Sequence, residues 1–178
     1  MIALRCTQRL LKRLGATPET DAPPPANALG NWYASLVYVG RAQFVMATSE
    51  RSLLTVLLPA ANLRRSLVPN LCDSTAILLR EIGVDDARAS REVDAMRQVR
   101  YCRTESRSVL GSMNDFSRSL DWYLHDGIAP LECMLRFADT PMTGLGSAGE
   151  SHGYAAEVAR SLLGVEGKWS RLAPRRGT

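Results

Sequence analysis

The sequence lacks most of the patterns by which a chemical activity is usually recognised. It has no Gly-x-Ser-x-Gly nucleophile elbow, no His-Glu-x-x-His pair and no Walker loop for phosphate. Its two histidines and four cysteines do not stand at the spacings of zinc ligands, and no Cys-x-x-Cys pair occurs. We therefore predict no metal site and no cofactor, and we expect the four cysteines to be buried free thiols.

Long apolar runs are also missing. No stretch approaches the roughly 18 apolar residues that a membrane-spanning helix needs. The apolar start Ile2-Ala3-Leu4 is too short for a secretory signal, and basic residues follow it at once. The sequence thus predicts a cytoplasmic bacterial protein that has no membrane partner.

Lysine is scarce, since only two of the 22 basic residues are lysines. The net charge of +4 arises at the two ends: residues 1–15 and 168–178 carry four bases each and no acid, which leaves the remainder at −4. A nucleic-acid-binding protein usually has a basic face on its folded body, so a protein partner is favoured over nucleic acid. The bases of the first segment are predicted to cluster outward around a helix, either as a solvated face or as contacts for an anionic partner; they are Arg5, Arg9, Lys12 and Arg13.

The most regular apolar pattern lies between residues 106 and 126. Its apolar side chains recur at steps of three and four, which predicts an amphipathic helix with one face in the core; they are Val109, Met113, Phe116 and Leu120. Ser106 or Ser108 can cap the start of this helix, and Gly127 stands where a left-handed stop is expected.

The opposite face of this helix carries poor helix formers. Gly111, Ser112, Asn114 and Asp115 together cost about 2–3 kcal/mol against better helix formers, so we expect them to meet something specific. One explanation is structural: Gly111 lets another element pass closely, and Asn114 or Asp115 bonds to backbone groups. The other is a ligand site, in which Arg107 and Asn114 hold a polar group and Asp115 acts as acceptor or base. The candidates for that site are Arg107, Ser108, Ser112, Asn114 and Asp115.

Three segments together resemble a known family. They are the run Arg107-Ser108-Val109-Leu110-Gly111-Ser112-Met113-Asn114-Asp115, the opening Leu4-Arg5-Cys6-Thr7 with the Leu-rich helix after it, and Trp32-Tyr33-Ala34-Ser35-Leu36. Their order and spacing are similar to a bacterial family of small proteins known only as a domain of unknown function, the one numbered six-nine-three-three. The resemblance covers most of residues 1–142 and implies no activity. The Gly-rich insertion 143–153 and the basic tail depart from the pattern.

The remaining segments alternate between strand and helix signals. Strands are predicted at residues 2–6, at 99–104 and in a meander over 31–58 that turns at Gly40-Arg41; helices are predicted at 7–14, at 60–82 with a break at Pro69, at 86–96, at 130–137 and at 154–163. We therefore predict an α+β domain: an antiparallel sheet of four to five strands around a central three-strand meander, with helices packed mainly on one face. Residues 1–164 would form this single domain, and residues 165–178 a basic, disordered tail.

A glycine pattern near the C-terminus matches the dinucleotide fingerprint in letters only. Residues 144–149 read G-x-G-x-x-G, but the fingerprint needs a strand before it and a helix that begins within it. Pro141-Met142-Thr143 is not predicted as a strand, and the next helix begins only near Gly153. We predict a flexible loop.

Two classes of function remain open from these patterns. The favoured one is a small binding or regulatory module that acts through a protein partner, with nucleic acid less favoured. The alternative is a small enzyme or ligand-binding protein that uses the polar face of helix 106–126 on an anionic ligand. A catalytic set of Ser108 or Ser112 with Asp115 and His125 is excluded, because His125 lies about 15 Å beyond Asp115 along the same helix.

Overall fold

The computed structural model describes residues 1–143, 145, 152–167 and 169. Within these ranges the strands are β1 (Ile2–Cys6), β2 (Trp32–Val39), β3 (Ala42–Ser49), β4 (Thr55–Pro59), β5 (Val99–Arg103), β6 (Pro141–Thr143) and β7 (His152–Tyr154). The helices are α1 (Gln8–Leu14), α2 (Leu63–Glu81), α3 (Asp86–Met96), α4 (Arg107–His125), α5 (Pro130–Ala138) and α6 (Ala155–Leu162).

The main sheet is mixed, with strand order β4-β3-β2-β1-β5. As predicted, β2, β3 and β4 form an antiparallel meander, and Gly40-Arg41 is the two-residue turn between β2 and β3. The strand β1, however, lies between β2 and β5 and runs parallel to both. The α+β class is confirmed, but the prediction of a purely antiparallel sheet is wrong for this half. Parallel neighbours need long crossovers, and α1 with the loop after it forms the crossover from β1 to β2.

Both faces of the sheet are covered. Consecutive side chains in β1 and in most of β4 are all buried, although successive residues of a strand point to opposite faces. Tyr33 and Tyr38 on β2 are an odd number of positions apart, so their side chains point to opposite faces of the sheet. The hydroxyl of Tyr33 accepts a hydrogen bond from the backbone of Ser106 before α4, and the guanidinium of Arg9 on α1 lies over the ring of Tyr38. Helices α1 and α4 therefore approach opposite faces, and the predicted packing mainly on one face is not confirmed.

The helix α2 runs through Pro69 without a break, which corrects the prediction of two separate pieces. Pro69 has no N–H group, so one helical hydrogen bond is missing and the carbonyl group four residues earlier has no backbone partner. Pro69 is exposed, so the freed carbonyl stays accessible to water. On the other side of the helix Leu63, Leu67 and Leu71, spaced at four residues, are buried in the core, and their burial holds the helix together across the proline.

The segment Pro141–Thr143 is a strand, contrary to the prediction, and it pairs antiparallel with β7 in a separate two-stranded sheet. Three-residue strands are too short to show a periodic pattern. Residues 144 and 146–151 lie outside the described residues. They include every residue of the G-x-G-x-x-G match except Leu145. The helix that follows, α6, begins only after β7.

The core is one cluster of apolar side chains to which β1–β4 and all six helices contribute. Trp32 and Tyr33 are fully buried within it, as expected for packing residues. All four cysteines are buried and free, which confirms the prediction. Val165 and Trp169, from the predicted tail, pack partly buried against this core; residues 168 and 170–178 lie outside the described residues.

A buried carboxylate fastens the loop between α1 and β2. Glu92 on α3 is only 4% exposed. Its Oε1 accepts hydrogen bonds from the Asn27 side chain at 2.7 Å and the Leu29 backbone at 2.9 Å, and its Oε2 accepts one from the Ala28 backbone at 2.9 Å. These three bonds anchor the end of a Pro-rich segment that forms no helix of its own.

Candidate functional site

The helix α4 folds as its sequence predicts. Ser106 is the N-cap, and its hydroxyl accepts a hydrogen bond from the Val109 backbone. The predicted apolar face is buried. Gly127 adopts a left-handed conformation with φ 76° immediately after the helix.

The predicted ligand candidates lie on the opposite, outward face of α4. Arg107, Ser108, Asn114 and Asp115 are exposed, and Ser112 is half-buried. Asp115 pairs with Arg118 one turn further on, at 3.3 Å, and the hydroxyl of Ser112 donates back to the Ser108 carbonyl. These residues share one helix face, but none of them lines the described cavities. The ligand site on this face stays a prediction.

The structural explanation for Gly111 is wrong for the described chain. A Cβ atom added at Gly111 would meet no described neighbour within 4 Å, so no element packs against it there. The glycine therefore leaves an open notch on the helix surface.

The basic residues near the N-terminus separate into three environments. Arg5 is only 8% exposed, so the prediction that it points outward is wrong. It lies on β1, which has neighbours on both sides, and the sheet and the segment after β5 bury it. Arg9 is held over the Tyr38 ring at 4.3 Å. Lys12 and Arg13 are exposed on α1 and line two different cavities.

The buried Arg5 ties together the ends of the parallel strands. Its guanidinium pairs with Glu105 at 2.5 Å and donates to the Arg103 carbonyl at 3.3 Å. It also lies 5.9 Å from the centre of the Tyr33 ring. Its Nε is buried and has no partner among the described residues. This network fixes the segment 103–106, through which β5 passes into α4.

The parallel strands β1 and β5 end side by side, since Cys6 pairs with Arg103 in register. The helix after β1 approaches one face of the sheet, and the helix after β5 approaches the other. In open sheets with parallel strands, such a switch point leaves a crevice beyond the carboxyl ends of the strands, where ligands commonly bind. Two adjoining cavities occupy this position.

The first cavity of the crevice, about 450 Å³, lies beside α1; it is lined by Cys6, Gln8, Leu11, Lys12, Pro18, Arg103 and Thr104. The second, about 380 Å³, lies beside Arg5; it shares Pro18, Arg103 and Thr104 with the first and adds Cys102, Glu19 and Glu105. Both acids of the second cavity are already paired, Glu19 with Arg100 at 3.3 Å and Glu105 with Arg5.

A wider groove of about 840 Å³ lies beyond Arg13, where α2 begins. Its charged lining consists of Arg13, Arg64 and Arg65, with Asn62, Ser66 and Asn70 beside them. Asn62 caps α2 in a left-handed conformation and makes no side-chain cap bond, and no acidic residue stands in the first turn. The partial positive charge of this helix end therefore adds to the three arginines.

We define the cationic surface as Lys12, Arg13, Arg64, Arg65 and Arg103. Its members line the first crevice cavity or the groove beyond Arg13, and no acidic residue among those described lines either of these two. The ion pairs seen between described residues use other arginines.

The thiols near the crevice are not activated. Burial raises the pKa of the Cys6 thiol to about 12, and it also raises the pKa of Cys102. Both thiols therefore stay protonated at neutral pH, and a protonated thiol is a poor nucleophile.

Sequence reasoning found Lys12 and Arg13 but missed the other three members of the cationic surface. Arg64 and Arg65 stand next to each other at the start of a predicted helix, where basic residues oppose the helix dipole. That unfavourable placement is a signal that was available. Arg103 carries no such signal, because its position depends on the parallel pairing of β1 with β5.

These features define an α+β domain whose parallel strand ends open into a crevice beside a cationic helix. The chain belongs to the family described as Domain of unknown function (DUF6933), whose model matches residues 3–158. The family resemblance drawn from the sequence is thereby confirmed. No curated protein and no solved structure matches the chain. None of the helices in the described ranges combines the length and the apolar content that a membrane crossing requires.

Proposed function

We propose that this domain is a binding module for a small anionic ligand, held by phosphate or carboxylate groups on the cationic surface around α1. The observation that carries the proposal is that five cations line two cavities which contain no described acid. Cations gathered without acids repel one another, and an anion would relieve that repulsion.

The chemistry of the lining favours acidic oxygen groups. Arginine offers planar, forked donors that match phosphate and carboxylate, and lysine offers a compact charge. Gln8 and Thr104 add neutral donors in the first crevice cavity, while Leu11 and Pro18 supply an apolar wall. Cavities of this size suit a small molecule.

A nucleic acid is a less favoured ligand. Two of the four bases predicted for an anionic partner are engaged within the protein, since Arg5 pairs with Glu105 and Arg9 lies over Tyr38. A duplex would need a longer row of phosphate contacts than the remaining surface supplies.

The proposal includes binding but no catalytic step. The thiols closest to the ligand position are protonated, and the acids of the crevice are engaged in ion pairs. We also propose a bacterial, cytoplasmic setting for the protein, and one domain over residues 1–164.

The test measures binding of pyrophosphate, inorganic phosphate and citrate by calorimetry and by thermal stabilisation, which follows ligand concentration over Kd. We expect one of these probes to bind the wild type. Arg103→Gln should weaken a probe held in the first crevice cavity, and Arg65→Gln a probe held in the groove beyond Arg13, each about tenfold or more, because a hydrogen bond to a charged group contributes about 1.5–3 kcal/mol.

The matched control is Arg41→Gln. Arg41 is exposed in the turn between β2 and β3 and lines neither cavity, so its replacement removes the same charge outside both of them. The proposal is contradicted if no probe binds, or if Arg41→Gln weakens binding as much as Arg103→Gln. A duplex oligonucleotide that binds more tightly than pyrophosphate, with a steep salt dependence, would assign the surface to nucleic acid instead.

A second candidate function is docking of a protein partner on the outward face of α4. The observation in its favour is Trp122, whose side chain is 74% exposed on the same face as the predicted ligand candidates. Tryptophan is enriched at the energetic centres of interfaces. Purification from the source cell, with mass spectrometry of what co-elutes with the wild type and with Trp122→Ala, tests this candidate; identical sets of co-eluting proteins would reject a foreign partner.

A further inference from the structure

The outward face of α4 carries residues that recur at alternating steps of three and four. They are Ser108, Gly111, Asp115, Arg118, Trp122 and His125, and all six are exposed. Residues at this spacing lie in one row along a helix face, which we call the seam. From Ser108 to His125 the seam is about 26 Å long.

This seam is complementary to itself when reversed. A two-fold axis placed midway between Asp115 and Arg118 pairs each residue with the one equally far beyond the midpoint on a second, antiparallel copy. Under that axis Asp115 faces Arg118 of the other copy, and Arg118 faces its Asp115. Gly111 faces the other copy's Trp122, and Ser108 faces its His125.

Each of these pairings is favourable in its own chemistry. Asp115 and Arg118 have opposite charges, and their side chains are 68% and 82% exposed, so both are free to reach a second partner. The notch at Gly111, where a Cβ would meet nothing within 4 Å among the described residues, leaves room for the large ring of Trp122. Small side chains also allow two helix backbones to approach closely.

We propose that α4 forms an isologous antiparallel contact with α4 of a second copy of this chain. The inference deepens the second candidate function, since it names the partner that docks on this face. In an isologous interface the same patch serves both subunits, and every contact occurs twice. A charge pair and a ring-in-notch pair, each repeated about one axis, meet that condition.

The pairing also accounts for the composition of the helix. Glycine, serine, asparagine and aspartate are poor helix formers, and those on the outward face of α4 line none of the cavities described above. Three of them, Ser108, Gly111 and Asp115, lie on the seam, where they supply the small surface and the charge that the second copy needs. The contact involves one helix per subunit, so it belongs among the small, transient interfaces below about 1,200 Å².

A charge exchange tests the proposal. Asp115→Arg places two arginines against two arginines across the axis, and Arg118→Asp places two aspartates against two aspartates. Each variant alone should associate at least tenfold more weakly than the wild type in sedimentation equilibrium, because like charges face each other. An equimolar mixture of the two variants restores opposite charges at both positions and should form a heterodimer close to wild-type strength.

The control is Arg41→Asp, which makes the same change of charge in the turn between β2 and β3 and should leave association unchanged. Trp122→Ala should weaken association at least tenfold without altering charge. A wild type that remains monomeric up to about 1 mM overturns the proposal, as does a mixture of Asp115→Arg and Arg118→Asp that stays monomeric.

These outcomes are separable from the tests of the two proposed functions. Loss of anion binding in Arg103→Gln leaves the seam on α4 intact, so it does not bear on association. A foreign protein retained by the wild type while the wild type itself stays monomeric supports protein docking and refutes self-pairing.

Discussion

Replacement of Glu92 by glutamine tests whether one buried carboxylate holds the loop before β2. Glutamine has almost the same shape, so the change creates no cavity. Its carbonyl oxygen can keep the bonds from Asn27 and Leu29, but its NH₂ group then faces the backbone N–H of Ala28, and two donors meet without an acceptor.

The magnitude follows from the three bonds that Glu92 accepts. Loss of one bond to a charged acceptor costs about 1.5–3 kcal/mol, and the two remaining bonds each lose about 1 kcal/mol when their acceptor becomes neutral. We expect the free energy of unfolding to fall by about 4 kcal/mol. For a chain of this length that lowers Tm by roughly 8–16 °C.

The assay is urea denaturation followed by circular dichroism, with hydrogen exchange of residues 27–29 as a local measurement. In Glu92→Gln these amides should exchange faster than in the wild type. The matched control is Asp94→Asn on the same helix, whose side chain is 63% exposed in an ion pair with Arg97. It should change stability little, because surface ion pairs contribute little.

The reasoning is refuted if Glu92→Gln loses no more stability than Asp94→Asn. It is also refuted if the amides of residues 27–29 keep wild-type protection while stability falls, since the loss would then arise elsewhere than at the loop.

Three further predictions concern backbone conformation, thiol reactivity and pH. Gly111→Ala should stabilise the dilute protein by about 1 kcal/mol, since a Cβ there meets no described neighbour. Gly40→Ala, at φ 54°, should destabilise it by about 1–2 kcal/mol. Urea denaturation measures both variants, and a change of stability in the same direction for both would contradict the argument. Cys6, with its thiol pKa raised to about 12 by burial, should react with a disulfide reagent only after denaturant is added, and rapid labelling of the native protein would count against its burial. The backbone N–H of Arg88 lowers the pKa of Asp85 below its ordinary value of 3.8. The stability that Asp85 adds is therefore present above that value and is lost as the pH falls through the folded pKa. The difference in the free energy of unfolding between wild type and Asp85→Ala should be present at about pH 6 and should shrink as the pH falls below 3.8.

Local features of the fold were predictable because neighbouring residues determine them. The apolar side of α4 was readable from its periodicity, and its left-handed stop from Gly127. The turn at Gly40-Arg41 was recognisable because a glycine in the first position fits a two-residue hairpin. These predictions required no knowledge of distant parts of the chain.

Features that depend on distant partners were not predictable in the same way. The parallel position of β1 requires residues 2–6 to meet residues 99–103, and no local signal at either segment specifies this. The same pairing decides that Arg5 is buried and that Arg103 lines the crevice. Pro69 stays inside α2 because buried leucines support the helix on its other side, which the local proline rule does not include.

The candidate site was predicted only in part. Lys12 and Arg13 were identified from charge along one helix, but the groove beside them needs Arg64 and Arg65 from α2. The unusual composition of the α4 surface was recognised, whereas the absence of any described neighbour at Gly111 could be established only from coordinates.

The interior position of β1 also has a consequence for the order of folding. This strand is synthesised before both of its neighbours, and one of them, β5, follows it by nearly a hundred residues. Closing so long a loop carries a large entropic cost before any pairing repays it. We expect one edge of β1 to stay unpaired in the nascent chain until residue 103 has been synthesised. The sheet would then be completed late and in a single cooperative step.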